Sequence, residues 1–189
     1  MYPKIIITPN YFPLEWCDKV NTWMKENVEI HPAFGKKGVR KCDVRLLDPG
    51  MAPYGGVFSS MMEYVKRNYK VLGVDIDFKI DGGVQHITYN PGDNVGWHDD
   101  CLAPMDAMRV PEYKDLSINR KLSMTVMLSD PSDYTGGEFI FDPKMPLPTK
   151  VEGKGTVALF TSHAKHKVDP VLTGVRNILF IFVTGPEWR

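Results

Sequence analysis

Cysteine is scarce in this chain: Cys17, Cys42 and Cys101 are the only three among 189 residues, and no two have CxxC spacing. An odd number without that spacing excludes a disulfide framework and a thiolate zinc site. Reduced thiols are expected, with Cys101 open to oxidation if the acidic and histidine residues beside it do redox chemistry. Net charge is lacking too. The 23 basic side chains balance 23 acidic ones, which leaves no field to draw nucleic acid and no polybasic anchor for a membrane. No apolar run approaches the roughly 20 residues that span a bilayer. The opening MYPKIIITPNYFP has neither the apolar core nor the small-residue cleavage site of a signal peptide. A soluble cytoplasmic protein with no nucleic-acid or membrane partner is the expectation. Internal repeats and low-complexity linkers are also absent, so residues 1–189 read as one domain.

Two segments carry helical periodicity. In PLEWCDKVNTWMKEN (13–27), Pro13 suits a first turn, and Leu14, Cys17, Val20 or Asn21, and Met24 fall on one stripe. In GGVFSSMMEYVKRNYKVLG (55–73), Phe58, Met61, Val65 and Leu72 do the same until Gly73 stops the helix. From residue 75 the texture changes to short β-prone segments: DIDFKI, VQHITY, KLSMTVML, GEFIF, GTVALFT and RNILFIFV. Turn signals separate them, among them DGG, NPGDN, DPSDYTGG and VEGKG. The pattern predicts a mainly β sandwich or barrel behind N-terminal helices, with a jelly roll over 75–189 and a helical buttress over 1–74. One stretch interrupts the strands. Leu102 to Asn119, with Met105, Met108, Arg109, Tyr113 and Lys114, is long enough to be a lid that orders when substrate binds.

The chemistry concentrates in YNPGDNVGWHDDC (89–101). On an extended segment side chains two apart share a side, so His98 and Asp100 face together while Asp99 faces away. Trp97 either walls the same site or simply packs. An HxD pair alone is a weak signal and needs a third ligand. FTSHAKHKVDPVLTGVRNILFIFV (160–183) offers His163 or His166 at the end of an apolar strand, before a Pro/Gly turn. Two histidines and one carboxylate on a rigid β scaffold, with coordination positions left open, form the facial triad of non-haem Fe(II) oxygenases. Arg176 adds a separate requirement. By period two it shares a face with Ile178, Phe180 and Phe182; an interior face would demand an anion there, whereas an outer one would let Arg176 reach solvent or Asp169.

At this point the residues resemble a family, the Fe(II)- and 2-oxoglutarate-dependent dioxygenases of the prolyl 4-hydroxylase type. The resemblance is carried by QHITYNPGDNVGWHDD, by RKLSMTVMLSDPSDYTGGEFIF and by a closing H-x-V-x-P-V-x-x-G-x-R run. His166, Val168, Pro170, Val171, Gly174 and Arg176 fill that run, which selects His166 over His163. LSDPSDYTGGEF is similar to the PKHD-type hydroxylases of bacteria and phage, and KCDVRLL to an early strand beside the substrate groove. The resemblance implies a double-stranded β-helix of the cupin kind, with His98, Asp100 and His166 binding Fe(II). Arg176 then pairs with the distal carboxylate of 2-oxoglutarate, and Tyr89 hydrogen-bonds it. It also implies O2 as co-substrate and admits ascorbate as an accessory. The implied reaction couples decarboxylation of 2-oxoglutarate to succinate and CO2 with hydroxylation of a C–H bond. Peptidyl proline, a similar peptide side chain or a small molecule would be the substrate. Two other readings stand beside it: a cupin-like metal-binding or sensing domain without turnover, and an AlkB-like nucleobase oxygenase, which the neutral charge disfavours.

Overall fold

The computed structural model describes residues 3–31, 40–101, 119–144 and 151–186. Strand β1 is Ile5–Thr8, and helix α1 is Leu14–Asn27. Strands β2 (Arg40–Lys41) and β3 (Asp43–Leu47) precede helix α2 (Tyr54–Leu72). The rest of the described chain is β: β4 Ile80–Tyr89, β5 Asn94–His98, β6 Asn119–Met127, β7 Tyr134–Gly136, β8 Phe139–Phe141, β9 Val157–Thr161, β10 His166–Val168, β11 Val171–Gly174 and β12 Arg176–Gly185.

Three sheets form among the described residues. The largest runs β1-β9-β6-β12-β4-β3, the second β2-β5-β10-β8, and β11 pairs with β7. β12 lies between β6 and β4, and its alternation builds both cores. Leu179, Ile181 and Val183 pack with the helices, whereas Ile178, Phe180 and Phe182 pack with Phe139, Phe141 and Val168 of the second sheet. The order of layers is therefore helices, large sheet, small sheet. The interior between the two sheets is lined by the face that carries Arg176.

Both helices form where their periodicity places them. Cys17, Val20 and Met24 of α1 are buried, as are Met61, Val65 and Leu72 of α2, with Phe58 partly buried. Gly73 closes α2 in the left-handed region at φ 69°, donating its N–H to Lys70 O. Two details of α1 differ from expectation. Pro13 is the N-cap rather than a first-turn residue, and Leu14 is 56% exposed. Buried Phe12, stacked on Trp16 at 4.2 Å between centroids, packs the helix entry in its place.

The β readings hold for five of the six segments. DIDFKI is the exception, contributing only Ile80 to a strand. Phe78 sits at φ 55° between two hydrogen bonds to the end of β12, Asp77 N–H to Thr184 O and Thr184 N–H to Lys79 O, so the chain bends there. DGG is not a turn but part of β4. Gly82 and Gly83 have positive φ, and the register with β12 slips opposite them, between Phe180 and Phe182, as a bulge. β1 was not anticipated; IIIT is too short to show a period, and it forms as an edge strand on β9. The lid expected over 102–119 falls outside the described residues except for Asn119, which begins β6. Among the described residues no helix is long and apolar enough to cross a membrane.

Candidate metal and cosubstrate site

His98 ends β5 and His166 begins β10, directly opposite it in the antiparallel register. That register slips by one residue before Val168, which faces Val95. The extra residue on β5 lets both Val95 and His98 turn inward, while Trp97 points out, 47% exposed, with Lys167 Nζ 5.3 Å from its ring centre. Trp97 therefore does not wall the site. Asp99 is exposed and its carboxylate accepts the Cys101 N–H at 3.1 Å, as the alternation expected. Asp100 is buried. Its backbone N–H donates to Ser162 O at 2.8 Å, which ties the segment after β5 to the turn after β9.

The three side chains converge. His98 Nε2 lies 3.6 Å from Asp100 Oδ1, and His166 Nε2 lies 3.7 Å from Asp100 Oδ2. Those separations are too long for hydrogen bonds. They suit three ligands around a common ion, and one ligand atom from each residue falls within 4.8 Å of the others. Each ring is aimed by its other nitrogen. His98 Nδ1 is 2.8 Å from Gly96 O, and His166 Nδ1 is 2.8 Å from Ala164 O. A carbonyl oxygen only accepts, so Nδ1 carries the proton and Nε2 keeps its lone pair for a metal. Burial pushes the His166 pKa down, which favours the same neutral ring. Phe139 stacks on His166 at 5.1 Å and 16°, and Phe160 meets it edge-on at 5.0 Å. Asp100 Oδ2 is buried without a hydrogen-bond donor among the described residues. A carboxylate oxygen left so is costly unless a cation takes it, and the donor set of two imidazoles and one carboxylate fits Fe(II). His163 lies in the turn between β9 and β10, outside this cluster.

Arg176 begins β12 opposite Tyr89, the last residue of β4. It is 1% exposed, and Asp169, its alternative partner, instead pairs with Lys167 at 2.6 Å. Among the described residues its Nη2 reaches only the Met127 sulfur, at 3.4 Å, while Nε and Nη1 are buried with no partner. The guanidinium stays charged in proteins, so this face holds a permanent cation that awaits an anion. Tyr89 is buried beside it, with its ring centre 5.2 Å from the guanidinium carbon; burial pushes its pKa up to about 12 and keeps the phenol a hydrogen-bond donor. Tyr89, His98 and His166 line one cavity with Ile87, Ile178 and Phe180.

The DYTGGE motif has a steric basis. At Gly137, with φ 67°, a β-carbon would stand 2.8 Å from Val171 Cγ2 and 3.2 Å from Arg176 Cδ. Only glycine lets this link between β7 and β8 approach the arginine so closely.

Three features at the site were not singled out in the sequence. Phe139 stacks on the histidine. Arg120 bridges Asp81, at 2.6 Å, to the Asp100 carbonyl at 3.5 Å, and lies 3.6 Å over the Phe182 ring. Arg40 lines the cavity from β2. A signal for the last existed, since Arg40, Cys42 and Val44 alternate and the latter two are buried in the inter-sheet core.

A family model for the 2OG-Fe(II) oxygenase superfamily matches residues 84–184, more than half of the 189. The chain belongs to that superfamily. The chain is 33% identical over 136 residues to a PKHD-type hydroxylase of Pseudomonas putida strain W619, covering 72% of its own length and 58% of that protein. It is 32% identical over 100 residues to one from Herminiimonas arsenicoxydans, covering 50% and 40% respectively. The chain thus spans about half the length of these curated relatives. Among solved structures it resembles a Pseudomonas putida prolyl-4-hydroxylase with a TM-score of 0.71 at 17% identity, covering 97% of this chain and 93% of that one. A viral collagen prolyl hydroxylase from Paramecium Bursaria Chlorella virus-1, in its 2OG complex, gives 0.68 at 21%, covering 98% and 97%. The two packed sheets are those of the double-stranded β-helix. Fe(II) and 2-oxoglutarate are the metal and cosubstrate of the superfamily.

Proposed function

We propose that this protein is an Fe(II)- and 2-oxoglutarate-dependent hydroxylase of peptidyl proline or a similarly presented side chain. His98, Asp100 and His166 hold the metal, and Arg176 with Tyr89 holds the distal carboxylate of 2-oxoglutarate. The observation that carries this reading is the buried guanidinium of Arg176, with two nitrogens unpartnered, in the sheet face that leads to the three-ligand cluster. A domain that merely bound a metal would have no use for that unpaired charge. Relatives named as PKHD-type hydroxylases, and similar structures named as prolyl hydroxylases, one in complex with a peptide fragment, support a peptide substrate.

The loaded metal and 2-oxoglutarate supply the oxidising chemistry, in which O2, 2-oxoglutarate and a C–H bond give succinate, CO2 and an alcohol. The chain's residues do the positioning. Both imidazoles are locked by carbonyls of their own strands or turns, so the ligand set is arranged before metal arrives. Arg176 offers a planar fork that fixes a carboxylate in one orientation. Tyr89 donates from the adjoining strand. Ile87, Ile178 and Phe180 keep the cavity wall apolar, which excludes water from the reacting centre.

Anaerobic titration of the apo protein with Fe(II), then 2-oxoglutarate, tests the reading through the visible charge-transfer band of the chelate. The band is expected in the wild type and weakened in Arg176→Ala. Bound iron without any band would refute the cosubstrate assignment and leave a metal-binding domain.

A further inference from the structure

Building on the hydroxylase reading, we infer that Arg40 is a specificity residue that binds a carboxylate carried by the substrate. Arg40 pairs in register with the buried Val95 of β5, and it lines the same cavity as His98, His166 and Tyr89. It is half-buried there. No carboxylate stands within ion-pair distance among the described residues: Asp81 is taken by Arg120, Asp169 by Lys167, and Asp93 pairs with Lys41 at 3.9 Å. Its hydrogen bond to protein is long, from Nη1 to the Gln85 side-chain oxygen at 3.4 Å. A guanidinium has five donors, and a neutral amide oxygen at that distance leaves most of its capacity to a ligand.

Charge balance gives the ligand its sign. Arg40 and Arg176 both face the inter-sheet space, Asp100 supplies one negative charge, and Arg120 and Asp81 cancel each other. A divalent metal and a dianionic cosubstrate then leave one positive charge unmatched among the described residues of the site. Arg176 is committed to the cosubstrate, so the unmatched charge sits at Arg40. A neutral substrate closing over it would bury an unpaired cation, which is costly. A carboxylate removes that cost and matches the planar fork. Two sources supply such a group beside the reacting C–H bond: the α-carboxylate of a free or C-terminal residue, or an adjacent Asp or Glu side chain.

The test uses the full chain loaded anaerobically with Fe(II) and 2-oxoglutarate. Perturbation of the chelate band is titrated with N-acetyl amino acids covering every side chain, and with the primary amide of each. Either at least one acid binds about tenfold or more tightly than its own amide, or among the amides only those of Asp and Glu bind. That preference should vanish in Arg40→Gln and return in part in Arg40→Lys, which also keeps the test open if the glutamine variant folds poorly. Preference for the acids assigns the α-carboxylate; binding among the amides confined to those of Asp and Glu assigns the side chain. Equal binding of acids and amides of all kinds, a preference that survives Arg40→Gln, or no binding by any member overturns the inference. So does an Arg40→Gln protein that loses 2-oxoglutarate affinity while keeping the acid preference, since that places Arg40 on the cosubstrate. Failure of the wild-type chain to form the band at all would sink the hydroxylase reading itself, and the inference with it.

Discussion

His98 and His166 face each other across the β5–β10 ladder, with ring centres 4.2 Å apart and each Nδ1 bound to a carbonyl two residues earlier in its own chain segment. The same local geometry, used twice, brings both Nε2 atoms to the Asp100 carboxylate. Alanine at His98, Asp100 or His166 is expected to weaken Fe(II) binding more than about 100-fold, beyond the 10–100-fold typical of losing a group that merely orients a ligand. Calorimetric titration under anaerobic conditions measures it. Wild-type affinity in Asp100→Ala would refute the ligand assignment.

Arg176 sets stability against binding. Its charge is buried with two nitrogens unsatisfied, which is destabilising in the absence of an anion. Arg176→Met keeps the volume and removes the charge. The apo variant is expected to be about 1–3 kcal/mol more stable than the apo wild type, while its affinity for 2-oxoglutarate falls about 10–100-fold. Thermal melts with and without 2-oxoglutarate read both effects. At one ligand concentration the melting temperature of the iron-loaded wild type should rise more than that of the variant. An apo variant less stable than wild type would show that the guanidinium is already satisfied.

A second buried ionisable group makes folding sensitive to acid. His86 of β4 is wholly buried, with Nε2 2.8 Å from Asn21 Oδ1 on α1. Burial, then the nearby cations Arg45 and Lys25, lower its pKa to about 3. Above pH 6.5 the ring is neutral in both folded and unfolded chains, and its contribution to stability is constant. Below 6.5 the unfolded chain takes up the proton first, so stability falls with pH through the window down to about 3. Each unit removes about 1.4 kcal/mol, or about 2 kcal/mol by pH 5. Urea unfolding at pH 7 and pH 5 should show this loss, and His86→Gln should flatten it. Equal slopes in the two proteins would assign the acid sensitivity to other groups.

The sequence made the site more legible than the frame around it, for physical reasons. A metal site needs particular residue types at particular offsets, so HxD and the run from His166 to Arg176 are visible in one dimension. The period-two argument that placed Arg176 with Ile178, Phe180 and Phe182 also held, because β12 is central and buried on both faces. Other features depend on partners distant in sequence. The bulge at Gly82 and Gly83 reads locally as a turn, and only the long pairing with β12 turns it into strand. Phe139 and Arg120 reach the site through β8 and β6, and nothing in their neighbours marks them. Val95 turns inward together with His98, three residues on, because of a one-residue slip in the β5–β10 register, which alternation alone does not reveal.

Gly137 tests whether the motif glycines serve the proposed cosubstrate site as well as stability. A methyl group there meets Val171 and the Arg176 side chain, at a backbone φ of 67° that disfavours any L residue. Gly137→Ala is expected to lose about 1–3 kcal/mol of stability and to displace the guanidinium, raising the 2-oxoglutarate concentration needed. Fe(II) affinity should stay, because the methyl's nearest neighbours are Val171, Arg176 and Tyr134 and include no metal-site residue. Gly153 is the control. It also has positive φ, at 92°, but its β-carbon would meet only Thr156 Oγ1 at 3.2 Å. Gly153→Ala should therefore lower the melting temperature while leaving 2-oxoglutarate binding unchanged. Parallel titrations of the chelate band in the two variants separate the effects. An equal loss of 2-oxoglutarate affinity in both would mean that global destabilisation, not contact with Arg176, is the cause.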